Sequence, residues 1–378
     1  MKQIRLGMVG GGNDAFIGGV HRIASRIDGH FALVAGALSS TPEKSTASGQ
    51  ALGLDPDRCY GSFEQMAEAE AGRADGIQAV SIVTPNHVHA AAAEAFLKRG
   101  IHVICDKPLT STMEDAARLE KAVAQADALF VLTHNYTGYP MIRQAQAMVA
   151  AGELGKIRVV QVEYPQDWLT GTPEKDGVKQ AEWRTDPARS GAGGSVGDIG
   201  THAHNLACFV TGLEVEELAA DLQCFGAGRS LDDNAHMMLR FRGGARGMLW
   251  SSQVAPGNEN GLRLRVYGET GGLEWAQEDP NYLWHTPFGA PKRLITRNGA
   301  GAVDASTAVS RIPGGHPEGY LEGFANIYTE AAQAIRDWTP GGDKAPGHLP
   351  GIAAGMAGMR FIDACVRSSK DNAAWVRL

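Results

Sequence analysis

The chain has 378 residues, enough for two domains, with 43% apolar and 20% charged residues, the proportions of a globular protein that can bury a core. Lys plus Arg number 35 against 42 Asp plus Glu, a net charge of −7, so the basic excess that recruits nucleic acid or an anionic membrane is absent. No run approaches the roughly 20 apolar residues of a membrane span, the N-terminus runs directly into a strand, and the five cysteines carry no C-x-x-C spacing; a cytoplasmic protein with reduced thiols and no zinc or other metal is expected.

The first 135 residues alternate strand and helix. Arg5–Val9 is a short apolar run ending in Gly10-Gly11-Gly12, and a helix-like stretch begins at Gly18. Phe31–Leu38 is a second buried-strand run, followed by Pro42-Glu43-Lys44 as a helix start with proline in its first turn. Ala79–Val83, His102–Cys105 and Leu129–Thr133 are three more strands, with helical patterns at Ala90–Arg99 and Met113–Ala126 between them. Continuous apolar strands separated by helices predict a doubly wound parallel sheet of the α/β class. Its carboxyl edge would carry Thr84, Asn86, Asp106, Lys107, Asn135 and Tyr136, where open α/β sheets bind ligands.

Gly10-x-Gly12 directly after the first strand suits a chain that must approach a pyrophosphate at a helix N-terminus. The usual third glycine is replaced by Ala15, and Gly18 stands three residues further on. After the second strand, where an acid would hold the ribose diol of NAD, the chain reads Ser39-Ser40-Thr41 with Lys44 nearby. Those hydroxyls and that lysine accept either a diol or a 2′-phosphate, or simply cap the next helix; NAD is slightly favoured over NADP.

From Ile157 the texture changes. Ile157–Tyr164 alternates in period two, as do Ala235–Arg242, Gly247–Gln253 and Leu262–Tyr267, with Gly243-Gly244 and Gly271-Gly272 as expected hairpin turns. This predicts an α+β domain with a large, mostly antiparallel sheet, its covered face served by the helix 320–338, the helix 353–368, or another subunit. Residues 290–315 read as a long polar loop. Within Gly193–His202, Asp198 and His202 are four apart and share one face of a helix, where a carboxylate can orient an imidazole as a proton acceptor, or merely cap the helix. His204 reads as structural.

The strand–glycine turn–helix, Thr84-Pro85-Asn86-His87-Val88-His89, Asp106-Lys107-Pro108, Trp183-Arg184 and Gly193–His202, in this order, resemble the Gfo/Idh/MocA oxidoreductases, a family that includes glucose–fructose oxidoreductase and inositol dehydrogenases. The resemblance implies a Rossmann domain, set here at 1–140, and a C-terminal domain at 141–378 that binds substrate and forms dimers or tetramers through its sheet. It implies dinucleotide contacts from Gly10, Gly12, Ile17, Ser39 and Lys44, from Thr84, Asn86 and His89, and from Asp106, Lys107, Asn135 and Arg184. Substrate contacts would come from Lys107, Tyr136, Tyr164, Trp183, Asp198 and His202, with Lys107, Asp198 and His202 catalytic. Two departures stand out: the glycine loop is three residues longer, and Asn205 stands where many members carry an acid.

The expected reaction moves a hydride between the nicotinamide and a secondary hydroxyl of a sugar or inositol-like polyol. His202, oriented by Asp198, would take the hydroxyl proton, and Lys107 would stabilise the developing alkoxide. A redox-assisted glycoside hydrolase is the alternative, with Tyr136 or Tyr164 as the extra acid or base; a non-catalytic sugar sensor is the third reading. Asp167-Trp168, Trp183-Arg184 and His316 are further candidates to line the substrate pocket.

Overall fold

The structure, a computed structural model, describes residues 2–13, 15–340 and 348–378. It divides into two compact units, one taking in the chain to Asn135 with Phe324–Ala357, the other Tyr136–Gly323 with Gly358–Leu378.

In the first unit the elements run β1 (Ile4–Gly10), α1 (Phe16–Ile27), β2 (Phe31–Ala37), α2 (Pro42–Ala51), α3 (Phe63–Ala71), β3 (Ala79–Val83), α4 (His89–Leu97), β4 (His102–Cys105), α5 (Met113–Gln125) and β5 (Phe130–Leu132). The strands form one parallel sheet in the order β2-β1-β3-β4-β5. Every residue of β3 and β5 is buried, as strands covered on both faces require. The helices start where local chemistry permits: Pro42 opens α2, Ser62 accepts the Gln65 amide, and Thr112 accepts the Asp115 amide. The strand order reverses at β1, and Gly10 is the register partner of Val83. The glycine turn and the Thr84 turn therefore leave adjacent strands at the switch point, where such sheets open a ligand crevice.

The second unit contains α6 (Pro140–Ala150), β6 (Ile157–Pro165), α7 (Lys179–Arg184), α8 (Pro187–Ser190), α9 (Thr201–Thr211), β7 (Val215–Gln223), β8 (Asn234–Phe241), β9 (Arg246–Ser252), β10 (Arg263–Gly268), β11 (Gly271–Ala276), β12 (Tyr282–Pro287), β13 (Arg293–Thr296) and α10 (Asp304–Thr307). Helices α11 (Tyr320–Arg336) and α12 (Ile352–Lys370) contribute residues to both units, and β14 (Val376–Arg377) ends the chain. The nine strands lie in the order β13-β12-β11-β10-β6-β9-β8-β7-β14, antiparallel except between β6 and β9. One face, with Val160, Val162, Leu249, Leu264 and Val266, is buried, and α9 and α6 pack on the sheet. The other face presents Val159, Met238, Met248, Trp284 and Leu294 to solvent.

Three expectations are corrected here. Gly271 and Gly272 lie inside β11 rather than in a hairpin turn: Gly272 pairs with Tyr267, whose ring fills the space where a Cβ would stand. Residues 290–315 contain the edge strand β13 and helix α10. Their order comes from buried Arg297, which pairs with Glu318 at 3.1 Å and donates to the carbonyls of Ile312 and Pro313. Residues 324–336 of α11 belong to the first unit, not to the antiparallel sheet; the Tyr328 hydroxyl meets His21 Nδ1 at 2.8 Å and Ser81 Oγ at 2.9 Å.

Candidate active site

In the first unit the site is a backbone cradle. Gly10 and Gly11 have φ of +78° and +71°, a conformation side chains resist. A Cβ on Gly10 would lie 2.8 Å from the Val83 carbonyl, and one on Gly12 would lie 2.8 Å from that of Leu38. Gly18 packs on Gly11 so closely that a Cβ would stand 2.4 Å from the Gly11 Cα. It thus serves the close helix–turn packing that the third glycine of the shorter motif serves. Ile17, beside it, packs against the core cluster of Met8, Leu38, Leu54 and Val83. Ser39 Oγ accepts the Thr41 amide at 3.2 Å, and Lys44 is exposed on α2. Thr84 Oγ1 and Asn135 Nδ2 are buried with no hydrogen-bond partner among the described residues. Open glycine backbone with unsatisfied polar atoms at the same sheet edge fits a bound dinucleotide.

Asp106 anchors the end of β4. Its Oδ1 accepts the Lys107 amide at 2.9 Å and the Thr133 hydroxyl at 3.0 Å, with His21 Nε2 at 3.9 Å. Burial opposes its charge, but His21, Lys107 and His89 outweigh that and hold the carboxyl well below the usual range. The ring nitrogens of His89 each lie 2.9 Å from a carbonyl oxygen, of Pro108 and Thr84, so His89 braces two strand-end turns against each other. Burial pushes its pKa down. Asn86, also buried, starts the short turn between them.

In the second unit the site is built on a wide helical turn. Residues 196–200 form a π-type turn that leads into α9, with Thr201 N donating to Val196 O. Buried Asp232 holds its start: Gly194 N and Val196 N donate to the carboxylate at 2.7 and 2.8 Å, and Ser195 Oγ at 3.0 Å. Asp198 Oδ2 accepts from Arg184 Nε at 3.1 Å and Gln253 Nε2 at 2.9 Å. The Arg184 guanidinium stacks on Trp183 at 4.5 Å. His202 is buried, with the Tyr136 ring edge-on at 4.9 Å and Tyr164 at 6.3 Å. His204, by contrast, stacks on Phe361 at 4.4 Å as a core residue.

Comparison with known proteins agrees with this fold. Residues 4–134 match the family described as "Oxidoreductase family, NAD-binding Rossmann fold", and residues 142–274 match the GFO/IDH/MocA C-terminal domain. An uncharacterised oxidoreductase of Bacillus subtilis (strain 168) is 35% identical over 99% of this chain and 97% of its own length. The chain belongs to the Gfo/Idh/MocA oxidoreductase family. Among solved structures, an oxidoreductase from Sinorhizobium meliloti is 63% identical with a TM-score of 0.90, covering 100% of both chains. An inositol dehydrogenase homologue from Azotobacter vinelandii, complexed with NADH and myo-inositol, is 36% identical with a TM-score of 0.92, covering 100% of this chain and 98% of that one.

As a Gfo/Idh/MocA oxidoreductase the protein is an enzyme with an NAD-binding Rossmann domain. The sequence candidates fall into two groups. Gly10, Gly12, Ile17, Ser39, Lys44, Thr84, Asn86, His89, Asp106, Lys107 and Asn135 belong to the first unit, and Tyr136, Tyr164, Trp183, Arg184, Asp198 and His202 to the second. Arg184, expected at the dinucleotide, is the ion-pair partner of Asp198. Sequence reading missed Gln253, Gln166 and Asn260, which hydrogen-bond around the same side chains. Gln253 had a signal, a polar residue closing a period-two strand run; Asn260 sits in a connecting stretch with none. No helix among the described residues is long and apolar enough to cross a membrane, and no metal-holding group of His, Cys, Asp or Glu occurs among them.

Proposed function

We propose that this enzyme is a dehydrogenase acting on a secondary hydroxyl of a sugar or inositol-like polyol, with NAD preferred over NADP. The observation that carries the reading is Asp198, fixed by Arg184 and Gln253, one turn before buried His202 with two tyrosine rings against it. Two partners hold this carboxylate on the helical face it shares with His202, where it can orient the imidazole. The myo-inositol complex of the Azotobacter vinelandii homologue supports the substrate class.

In this reading residues 1–140 bind the dinucleotide and residues 141–378 the substrate. The nicotinamide, when bound, accepts or returns a hydride. His202 takes the hydroxyl proton, Asp198 sets its tautomer, and Lys107 stabilises the alkoxide oxygen. Trp183, Tyr136 and Tyr164 shape the pocket. The redox-assisted glycosidase reading has nothing specific in its favour: burial pushes the Tyr164 phenol well above its ordinary range, so it is a poor base. The exposed Val159, Met238, Met248, Trp284 and Leu294 on the outer sheet face support a homodimer or homotetramer joined there. We infer a cytoplasmic enzyme.

The test is turnover on a panel of sugars, acidic sugars and inositols with both cofactors. On the substrate so found, His202→Ala slows turnover by about 10²–10⁴-fold with NADH affinity unchanged. Wild-type turnover in that variant would remove His202 from the reaction.

A further inference from the structure

We infer that Arg22 is a positioning residue for the dinucleotide: it turns the Gly11 carbonyl away from the diphosphate and places a positive charge behind the glycine turn. This deepens the dinucleotide reading of residues 1–140 and rests on it.

Glycine permits the turn without selecting it. With φ of +78° and +71°, Gly10 and Gly11 occupy a region that glycine enters freely, but it enters others as freely. The peptide planes between β1 and α1 therefore need fixing from outside. The Gly11–Gly12 peptide is held at both ends. Gly12 N donates to Leu38 O at 3.1 Å, and the Gly11 carbonyl accepts from Arg22 Nη1. The same Nη1 lies 3.6 Å from Sδ of fully buried Met8, so the carbonyl points into the protein. A peptide flipped the other way would set that oxygen, with its partial negative charge, on the ligand side of the turn, where a diphosphate repels it.

The amides of the turn are mostly spent within the protein. Besides Gly12 N, Asn13 N meets Ser48 Oγ at 3.4 Å, and Ala15 N donates to Gly12 O at 3.0 Å. What remains for an anion is the start of α1, where Ala15 provides no side-chain cap and the first turn holds no acid. Arg22, on the turn of α1 after Gly18, adds charge to that start. It is half-buried and forms no ion pair among the described residues. Burial, and the like charge of Arg26, lower its pKa from the ordinary value, yet a guanidinium stays protonated at neutral pH. A cation desolvated beside a second cation, with no carboxylate to offset it, is completed by an anion.

The test is binding of NADH, ADP-ribose and adenosine to the full chain, measured by calorimetry. Arg22→Met keeps much of the bulk of the side chain and removes both donor and charge. It should weaken NADH and ADP-ribose about tenfold or more, while adenosine, which has no phosphate, binds both proteins alike. Arg22→Lys keeps a cation and a donor and should restore most of the loss. Wild-type affinity for ADP-ribose in Arg22→Met overturns the inference. So does an equal loss for all three ligands, because Arg22 then only supports the fold.

If Arg22→Met does not fold, nitrogen NMR of the wild-type guanidinium, assigned by its absence from Arg22→Lys, takes its place. ADP-ribose should shift that resonance and adenosine should leave it where it is. A resonance indifferent to ADP-ribose overturns the inference. A wild type that binds neither NADH nor ADP-ribose overturns the dinucleotide reading of residues 1–140, and the inference with it.

Discussion

Gly18→Ala separates the packing role of this glycine from ordinary helix propensity. The added Cβ would lie 2.4 Å from the Gly11 Cα and 2.5 Å from its carbonyl oxygen, whereas ordinary contact begins at 3.4 Å. Both obstacles are backbone, so the first turn of α1 and the glycine turn must part by about 1 Å, at an overpacking cost of roughly 1–3 kcal/mol. Replacing a helical glycine by alanine returns up to about 1 kcal/mol of helix propensity, so the net loss is about 0–2 kcal/mol. The displaced turn carries Gly10 and Gly12, and NADH binding should weaken about tenfold or more, a gap of about 1.4 kcal/mol. Gly19 is the control. A Cβ there meets only Arg22 Nη2 at 4.0 Å, so Gly19→Ala should stabilise by about 0.5–1 kcal/mol. Urea denaturation and NADH fluorescence titration of both variants decide the matter. Wild-type NADH affinity in Gly18→Ala, or equal stability changes in the two, would refute the backbone-packing argument.

Three further outcomes are expected. Glu70 is buried against Arg58 and also accepts from Tyr60 Oη at 2.8 Å and Ile77 N at 3.0 Å; Glu70→Ala should cost about 3–5 kcal/mol in chemical denaturation by stranding the guanidinium. Burial lowers the pKa values of His102 and His204 from 6.5 to about 4, and His102 Nδ1 accepts the Leu129 amide. Above pH 6.5 both rings are neutral, folded or unfolded; as pH falls toward 4 the unfolded chain alone takes up protons, so stability declines across that window by up to about 3 kcal/mol per ring. Urea midpoints measured from pH 7 to pH 4 should therefore fall less steeply in His204→Leu than in the wild type, and parallel profiles would contradict this. Finally, Met238 and Met248 are register partners on the open sheet face, 55% and 46% exposed. Changing both to Glu should dissociate the oligomer in analytical ultracentrifugation, and an unchanged sedimentation coefficient would place the interface elsewhere.

The sequence by itself determined the two kinds of sheet. A strand buried on both faces must be apolar throughout, as Ala79–Val83 is, and one buried on a single face must alternate, as Ile157–Tyr164 does, so periodicity alone distinguishes the parallel from the antiparallel half. It also marked the glycine turn and the Asp198–His202 spacing, because close backbone approach and helical facing are local properties of the chain. Tertiary structure decided the rest. Gly18 replaces the missing third glycine only because the fold brings its Cα onto Gly11, and Gly271-Gly272 is strand rather than turn because the Tyr267 ring needs the space. Helix α11 is amphipathic whichever sheet it joins, and tertiary contacts such as those of Tyr328 with His21 and Ser81 assign its residues 324–336 to the first unit. Asp198 acquires Arg184 and Gln253, and Tyr164 acquires Asn260, across 14, 55 and 96 residues of sequence. Residues so far apart carry no shared period or spacing. A hydrogen bond between them has no local signature, and it exists only once the sheet has brought the ends of its strands together.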